Sequence, residues 1–163
     1  MSTNKLILSG CLILDDKKRI LLLYRKDHKH YETPGGKVDF EDCEDFNNIG
    51  VNDLARTAKR ELHEELGLEF ETEPLVYFDS VEFKIPDGRL AVANKFITQI
   101  KSGIPKVNEP ETFEKFEYLE ISKLENYNLS PDLKLLLPKI KKSWDKAKPA
   151  KFKIDKKMIK LKK

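Results

Sequence analysis

The residues of this chain best suited to chemistry are the three carboxylates in Arg60-Glu61-Leu62-His63-Glu64-Glu65-Leu66-Gly67-Leu68. On a helix, positions three and four apart share a face, so Glu61 looks across one turn at both Glu64 and Glu65. Crowded like charges are unfavourable until a cation or a basic partner neutralises them, and hard divalent ions such as Mg²⁺ and Mn²⁺ prefer carboxylate oxygen. Upstream lies Pro34-Gly35-Gly36-Lys37, a turn whose missing side chains permit unusual φ and close approach of backbone to a ligand. Taken alone, a Glu-x-x-Glu-Glu helix is most often a solvated face, and a Gly-Gly pair an ordinary turn. The two together carry the functional reading.

Several elements must position these groups. Lys5 to Leu14 and Arg19 to Arg25 are apolar runs around Asp15-Asp16-Lys17-Lys18, the pattern of a β-hairpin with two central strands. Tyr31-Glu32-Thr33 is a short extended approach to the glycines. Asn52 or Asp53 is suited to cap the carboxylate helix, whose Leu54, Ala58, Leu62 and Leu66 recur at spacing four as a stripe that can dock on a sheet. Gly67 is expected to end it with a left-handed cap. Glu73 to Lys84 and Leu90 to Lys101 flank Ile85-Pro86-Asp87-Gly88, a strong turn signal and a second hairpin. Phe113 to Ile121 reads as a strand. Ser130-Pro131-Asp132 opens a last helix with Ser130 as cap, burying Leu133, Leu136, Leu137 and Ile140.

Composition bounds the rest. The 163 residues, 39% hydrophobic and 36% charged, suit one well-buried domain, and no apolar run is long enough to span a bilayer. Cys11 and Cys43 are too few for a disulfide framework and lack zinc spacing, so a reducing, cytoplasmic setting is expected. Leu8-Ser9-Gly10-Cys11 imitates a lipoprotein cleavage site, but the apolar run before it is too short for a signal core. The net charge of +3 conceals an asymmetry: residues 139 to 163 hold 12 lysines and 2 aspartates, a local charge of +10 that leaves −7 on residues 1 to 138. Such a basic tail attracts polyanions over a range set by salt.

Arg-Glu-Leu-x-Glu-Glu-x-Gly-Leu behind a Gly-Gly turn resembles the signature of the Nudix hydrolases, metal-dependent enzymes that cleave a nucleoside diphosphate linked to another moiety, X. That pattern is Gly, five residues, Glu, seven residues, Arg-Glu, an apolar residue, x-Glu-Glu-x-Gly and an apolar residue. Its second half matches at Arg60, Glu61, Leu62, Glu64, Glu65, Gly67 and Leu68. The first half departs: five residues past Gly36 stands Asp42, and seventeen residues separate Asp42 from Arg60, so about ten extra residues, roughly 43 to 52, lie between turn and helix. Loop closure costs grow slowly with length, and Asp42 is taken as the stand-in acid, with Glu41 and Glu44 as alternatives.

The resemblance implies an α/β protein of Nudix fold, an α/β/α sandwich with a central mixed sheet, over residues 1 to 144, followed by a Lys-rich tail from 145 to 163. It implies Glu61, Glu64 and Glu65 as metal ligands together with the Gly35 carbonyl, and Glu64, Glu61 and Arg60 as catalytic residues. A further loop acid comes from Glu109 or Glu111, with Glu111 preferred. Gly36, Lys37, Tyr31 and Tyr127 are the candidate substrate contacts, and the histidines receive no metal role. The expected cofactor is Mg²⁺ or Mn²⁺, and the expected partner a small nucleotide. Branches acting on ADP-ribose carry a proline fifteen residues past the box, where this chain has Phe83, and the dinucleoside polyphosphate branch favours a tyrosine soon after, where none occurs. The remaining expectation is hydrolysis of a free or oxidised nucleoside triphosphate to the monophosphate. An RNA-directed, decapping-type enzyme using the basic tail, and a catalytically weak nucleotide sensor, are the alternatives. Monomer and homodimer both stay open.

Overall fold

Two adjacent strands with near-continuous apolar sequence decide the layering. In β1 (Leu6–Leu14) and β2 (Arg19–Arg25), successive side chains point to opposite faces. Cys11, Ile13, Leu21 and Leu23 join one buried cluster with Ala58, Leu62 and Leu66. Leu12, Leu14, Ile20 and Leu22 join a second with Leu133, Leu136 and Ile140. An apolar run without polar alternation is what a strand covered on both faces requires. The computed structural model of the chain describes residues 5–143, and the lysine-rich tail from 145 lies outside the described residues.

The remaining elements are β3 (His30–Glu32), β4 (Gly35–Lys37), a 3₁₀ turn (Phe40–Asp42), α1 (Val51–Leu66), β5 (Phe70–Thr72), β6 (Val76–Lys84), β7 (Leu90–Thr98), β8 (Ile100–Gly103), β9 (Phe113–Glu120), a second 3₁₀ segment (Ile121–Asn126) and α2 (Pro131–Ser143). The main sheet runs β3-β2-β1-β7-β6, with β4 also on β1 and β9 also on β2. β1 and β7 are parallel, from Leu6 opposite Ala91 to Ile13 opposite Thr98, and the other pairs are antiparallel. This is a mixed sheet between two helices, the α/β/α sandwich expected.

Both hairpins form, but the first is short. β1 and β2 pair only at Ile13–Leu21 and Leu14–Ile20 and then part, which lets β4 join β1 and β3 join β2 along the vacated edges, while β9 runs along the other edge of β2. The Asp15 carboxylate fixes the turn by accepting from the backbone N–H groups of Lys17 and Arg19, each at 2.9 Å.

Local details depart from expectation. Helix α1 begins at Val51 with Gly50 as N-cap, not at Asn52 or Asp53. Asp53 instead sits three residues inside and its carboxylate reaches back to the Gly50 N–H at 2.8 Å, half of a capping box that works without a side chain on the cap residue. Gly67 closes the helix at φ 89° and ψ 177°, a positive-φ conformation suited to glycine but not the left-handed helical one. Ser130 precedes α2 as expected, yet its buried hydroxyl makes no well-formed hydrogen bond. Strands β5 and β8, paired in a separate two-stranded sheet, are too short to leave a pattern. Among the described residues no helix is long and apolar enough to cross a membrane.

Candidate active site

The glycine turn is held against β1 at a distance only glycine allows. Ser9 faces Gly36 and Gly10 faces Gly35, and the Cys11 N–H donates to the Pro34 carbonyl at 2.9 Å. A Cβ on Gly10 would lie 2.2 Å from that same carbonyl oxygen, and one on Gly36 would lie 2.4 Å from the carboxyl carbon of Glu61. The backbone of the turn is thus pressed against the carboxylate face of α1. The helix is fixed from its other end as well, by Ser9, whose hydroxyl donates to the Leu54 carbonyl at 2.6 Å.

Arg60 organises the acids. Its Nε and Nη2 donate to the two Asp42 oxygens at 3.1 and 2.9 Å, a fork-on-carboxylate pair with the geometry that makes arginine specific. Nη1 donates to Glu61 Oε2 and Glu64 Oε2, each at 2.9 Å, and Nη2 also reaches the Lys37 carbonyl at 3.1 Å. The guanidinium is held strongly in its charged form, first by the hydrogen bonds to Asp42. In return those bonds hold the Asp42 carboxyl down at about 2. Asp42 also accepts from the Thr57 hydroxyl at 2.8 Å and from the Asp39 N–H at 3.0 Å. It is therefore placed as the anchor of Arg60. Glu44 is exposed, and it is its backbone N–H that faces helix α1, toward Asp53 at 3.4 Å.

Glu65 has a different environment. Only 4% exposed, it accepts from the Gly35 N–H at 2.9 Å. Burial pushes its carboxyl up to about 9, the Gly35 hydrogen bond opposes this, and the charges of Glu61, Glu32 and Glu109 add to it. Burial and then Glu64 raise Glu61. These groups are short of positive charge, which is the condition a dication relieves.

The loop after β8 brings a fourth acid. Asn108 pins it to the end of α1, its backbone N–H donating to the Glu65 carbonyl at 2.9 Å and its side-chain amide to the Glu64 carbonyl at 3.0 Å. The neighbouring Glu109 carboxyl is raised by burial, then by Glu64 and Glu111, and its charge is felt at both Glu61 and Glu65. Glu111 is exposed and its charge acts on Glu109. The loop therefore turns Glu109, more than Glu111, toward the helix acids.

Lys37 is exposed beside the turn. Tyr31 and Tyr127 are not brought to the carboxylates. Tyr31 is 8% exposed in the core on the α2 side, its hydroxyl given to Glu117, and Tyr127 meets its ring edge-on at 5.5 Å between centroids.

Among the described residues, no group of three or more His, Cys, Asp or Glu side chains is arranged as a ready metal cage. The chemistry of the donor set fits a hard dication nevertheless. Glu61, Glu64, Glu65 and Glu109 supply carboxylate oxygen, with burial first and repulsion between them second raising Glu61, Glu65 and Glu109, and Arg60 holds one oxygen each of Glu61 and Glu64.

Beside the turn opens a cavity of about 530 Å³ that shares Gly35 and Gly36 with the carboxylate site. Its buried polar residues are Ser9, Thr33, Lys95 and Ser130, and half-buried Asp132 at the start of α2 lines it as well. No sequence pattern marked the pairing of Lys95 with Asp132, because it joins residues far apart in the chain.

A family model described as NUDIX domain matches residues 7–140, and the chain belongs to that family. It is a Nudix hydrolase, of the class that acts on nucleoside diphosphate-linked substrates and generally uses divalent metal. No curated protein matches it significantly. Solved structures similar to it include the MutT NUDIX hydrolase from Burkholderia pseudomallei, 24% identical over 83% of this chain and 97% of that one, with a TM-score of 0.65. The MutT protein from Methanosarcina mazei Go1 is 19% identical over 86% and 97%, with a TM-score of 0.65. The NUDIX domain of Shewanella oneidensis NrtR, solved with ADP ribose, is 15% identical over 86% and 89%, with a TM-score of 0.64. At these identities the likeness is one of fold.

Proposed function

We propose that the chain is a Mg²⁺-dependent pyrophosphohydrolase that converts a free or oxidised nucleoside triphosphate to the monophosphate and pyrophosphate. The observation that carries this reading is the burial of Glu65 against the Gly35 N–H, beside Glu61 and Glu109 and next to a cavity of nucleoside size. Glu61, Glu64, Glu65 and Glu109, with the Gly35 carbonyl, would hold the cation. Bound there, a divalent ion neutralises pyrophosphate charge and makes a coordinated water acidic enough to attack at neutral pH. Arg60 acts by positioning: its donors are occupied by Asp42, Glu61, Glu64 and the Lys37 carbonyl, so it fixes which carboxylate oxygens remain available. Gly36 lets the phosphate chain approach the backbone, and exposed Lys37 offers a cation to it. Glu64, the most exposed of the helix acids, is free to take a proton from water.

Residues 1 to 144 form the catalytic unit in this reading, and the tail from 145 is dispensable for small nucleotides. The test is incubation with each nucleoside triphosphate, with and without Mg²⁺, and identification of both products. Monophosphate and pyrophosphate formed only with metal is the expected result. Release of inorganic phosphate, or turnover unchanged by a chelator, would overturn it.

A further inference from the structure

Two aromatic rings stand in solvent on the enlarged loop between the glycine turn and α1. Phe40 is 75% exposed and Phe46 43%, and the rings meet at 5.9 Å between centroids. A phenylalanine ring ordinarily gains by burial, yet hydrogen bonds hold both of these outward. The 3₁₀ turn under Phe40 is closed by the Asp42 and Cys43 N–H groups, which donate to the Asp39 and Phe40 carbonyls at 3.0 and 3.2 Å. Asp42 then ties that turn to Arg60 and Thr57. Around Phe46, the Asn48 N–H donates to the Asp45 carbonyl at 2.9 Å and the Asn47 N–H to the Asp45 carboxylate at 3.0 Å.

The charge beside the rings has one sign. Residues 39 to 49 include Asp39, Glu41, Asp42, Glu44 and Asp45 and no basic residue. Arg60 takes up Asp39 and Asp42, and Arg56 is paired with Asp53. Glu41, Glu44 and Asp45 are exposed and form no ion pair among the described residues. Exposed Leu68 and Ile104, by contrast, stand near Lys106, whose side chain lies along Gly67. An apolar platform beside unneutralised acids fits a segment that is itself basic and apolar.

The chain carries such a segment. Lys156-Lys157-Met158-Ile159-Lys160-Leu161-Lys162-Lys163 holds five lysines, three large apolar side chains and no acid. Like Phe46 in the loop insertion, it stands outside the family's pattern, whose match ends at residue 140. Lys160 is seventeen residues past Ser143, the last residue of α2, a reach of about 55 to 60 Å for extended chain. A unit of this size has a radius of gyration of about 14 Å, so its whole surface lies within that reach.

We infer that Phe40, Phe46 and the acids beside them are the docking surface for residues 156–163 of the same chain. The apolar side chains of that segment cover the rings, and its lysines pair with Glu41, Glu44 and Asp45. The tether holds the segment at a local concentration on the millimolar scale, which favours it over the same segment of another molecule. Neither ring lines the cavity at the glycine turn, so docking leaves that cavity open, in keeping with a tail dispensable for small nucleotides.

The experiment treats the full chain with a carbodiimide, which joins a lysine to a carboxylate only where the two touch, and identifies the joined peptides by mass spectrometry. The lysines of 156–163 should be joined chiefly to Glu41, Glu44 and Asp45, with a yield unchanged on about tenfold dilution, as an intramolecular contact requires. The yield should fall about fivefold or more in a Phe40→Ser, Phe46→Ser double variant, which keeps every carboxylate and loses only the two exposed rings. It should fall similarly at about 0.5 M salt. Circular dichroism should show the double variant folded as the wild type. The rate of tryptic cleavage within 156–163 gives a second reading, slow in the wild type and faster by a similar factor in the double variant. Links absent from those three acids or spread over exposed acids across the body would overturn the inference. So would a link yield and cleavage rate that the double variant leaves unchanged, or a yield that falls with dilution, which would assign the surface to a second copy.

Discussion

Asp42 and Arg60 face each other as a two-point pair, Nε to Oδ1 at 3.1 Å and Nη2 to Oδ2 at 2.9 Å, across the seventeen residues that separate them. The pair closes the enlarged loop and sets the guanidinium that orients Glu61 and Glu64. Asp42→Asn removes the charge but keeps the shape. It should lower kcat/KM by about 10- to 100-fold and stability by about 2 kcal/mol, the scale of a hydrogen bond to a charged group. Glu44→Gln should leave both within experimental error. An inactive Glu44 variant beside an active Asp42 variant would assign the anchoring acid to the wrong residue.

The same pair gives an acid dependence. The Asp42 carboxyl is depressed from 3.8 to about 2 in the folded protein, so the folded state binds fewer protons than the unfolded one between those values. Its stabilising contribution is complete above the unfolded value and lost as pH falls toward about 2. Acid titration followed by circular dichroism should show a steeper loss of stability between pH 4 and 2 in the wild type than in Asp42→Asn. Parallel curves would mean that Asp42 does not titrate with folding.

Glu65→Gln should keep the fold and bind divalent metal poorly, since one anionic ligand disappears at constant size. Turnover should fall by at least about 10²-fold, and Tm without metal should hold or rise, because the carboxyl, pushed up to about 9 by burial, must take up a proton on folding at neutral pH and an amide need not. Near-normal rates at saturating Mg²⁺ would remove Glu65 from the metal site.

Glu109→Gln should weaken the apparent Mg²⁺ affinity by about tenfold, and Glu111→Gln should change it little. The basis is that Glu61 and Glu65 feel Glu109, whereas Glu111 is exposed. A metal titration of activity separates the two. The reverse order would mean that the loop turns over when metal binds.

Two glycine variants separate site from scaffold. Gly36→Ala places a methyl 2.4 Å from the Glu61 carboxyl carbon, a side-chain end that can swing aside, so activity should fall with little change in Tm. Gly10→Ala places one 2.2 Å from the Pro34 carbonyl oxygen, which the backbone cannot yield, so the soluble folded fraction should drop sharply. Thermal melts with parallel assays read both.

The sequence by itself determined the parts of this protein whose cause is local. Period-four apolar residues from Leu54 to Leu66 made α1 legible, apolar runs marked β1 and β2 as central strands, and Ile85-Pro86-Asp87-Gly88 marked the β6–β7 turn. The spacing of Glu61, Glu64 and Glu65 on one helical face needed no structure. Tertiary structure decided which groups meet across the chain. Asp42 finds Arg60 because the 3₁₀ turn at Phe40–Asp42 folds back onto the helix. Glu109 faces the helix acids because Asn108 fastens its loop to the end of α1. Tyr31, whose position before the glycines suggested a substrate contact, turns into the core on the α2 side, while Thr33, just before Pro34, lines the cavity with Lys95. The pairing of Lys95 with Asp132 left no signal, although Asp132 itself was legible as part of a helix start, since an ion pair between a strand and a helix start is specified by packing, which residue spacing along the chain does not encode.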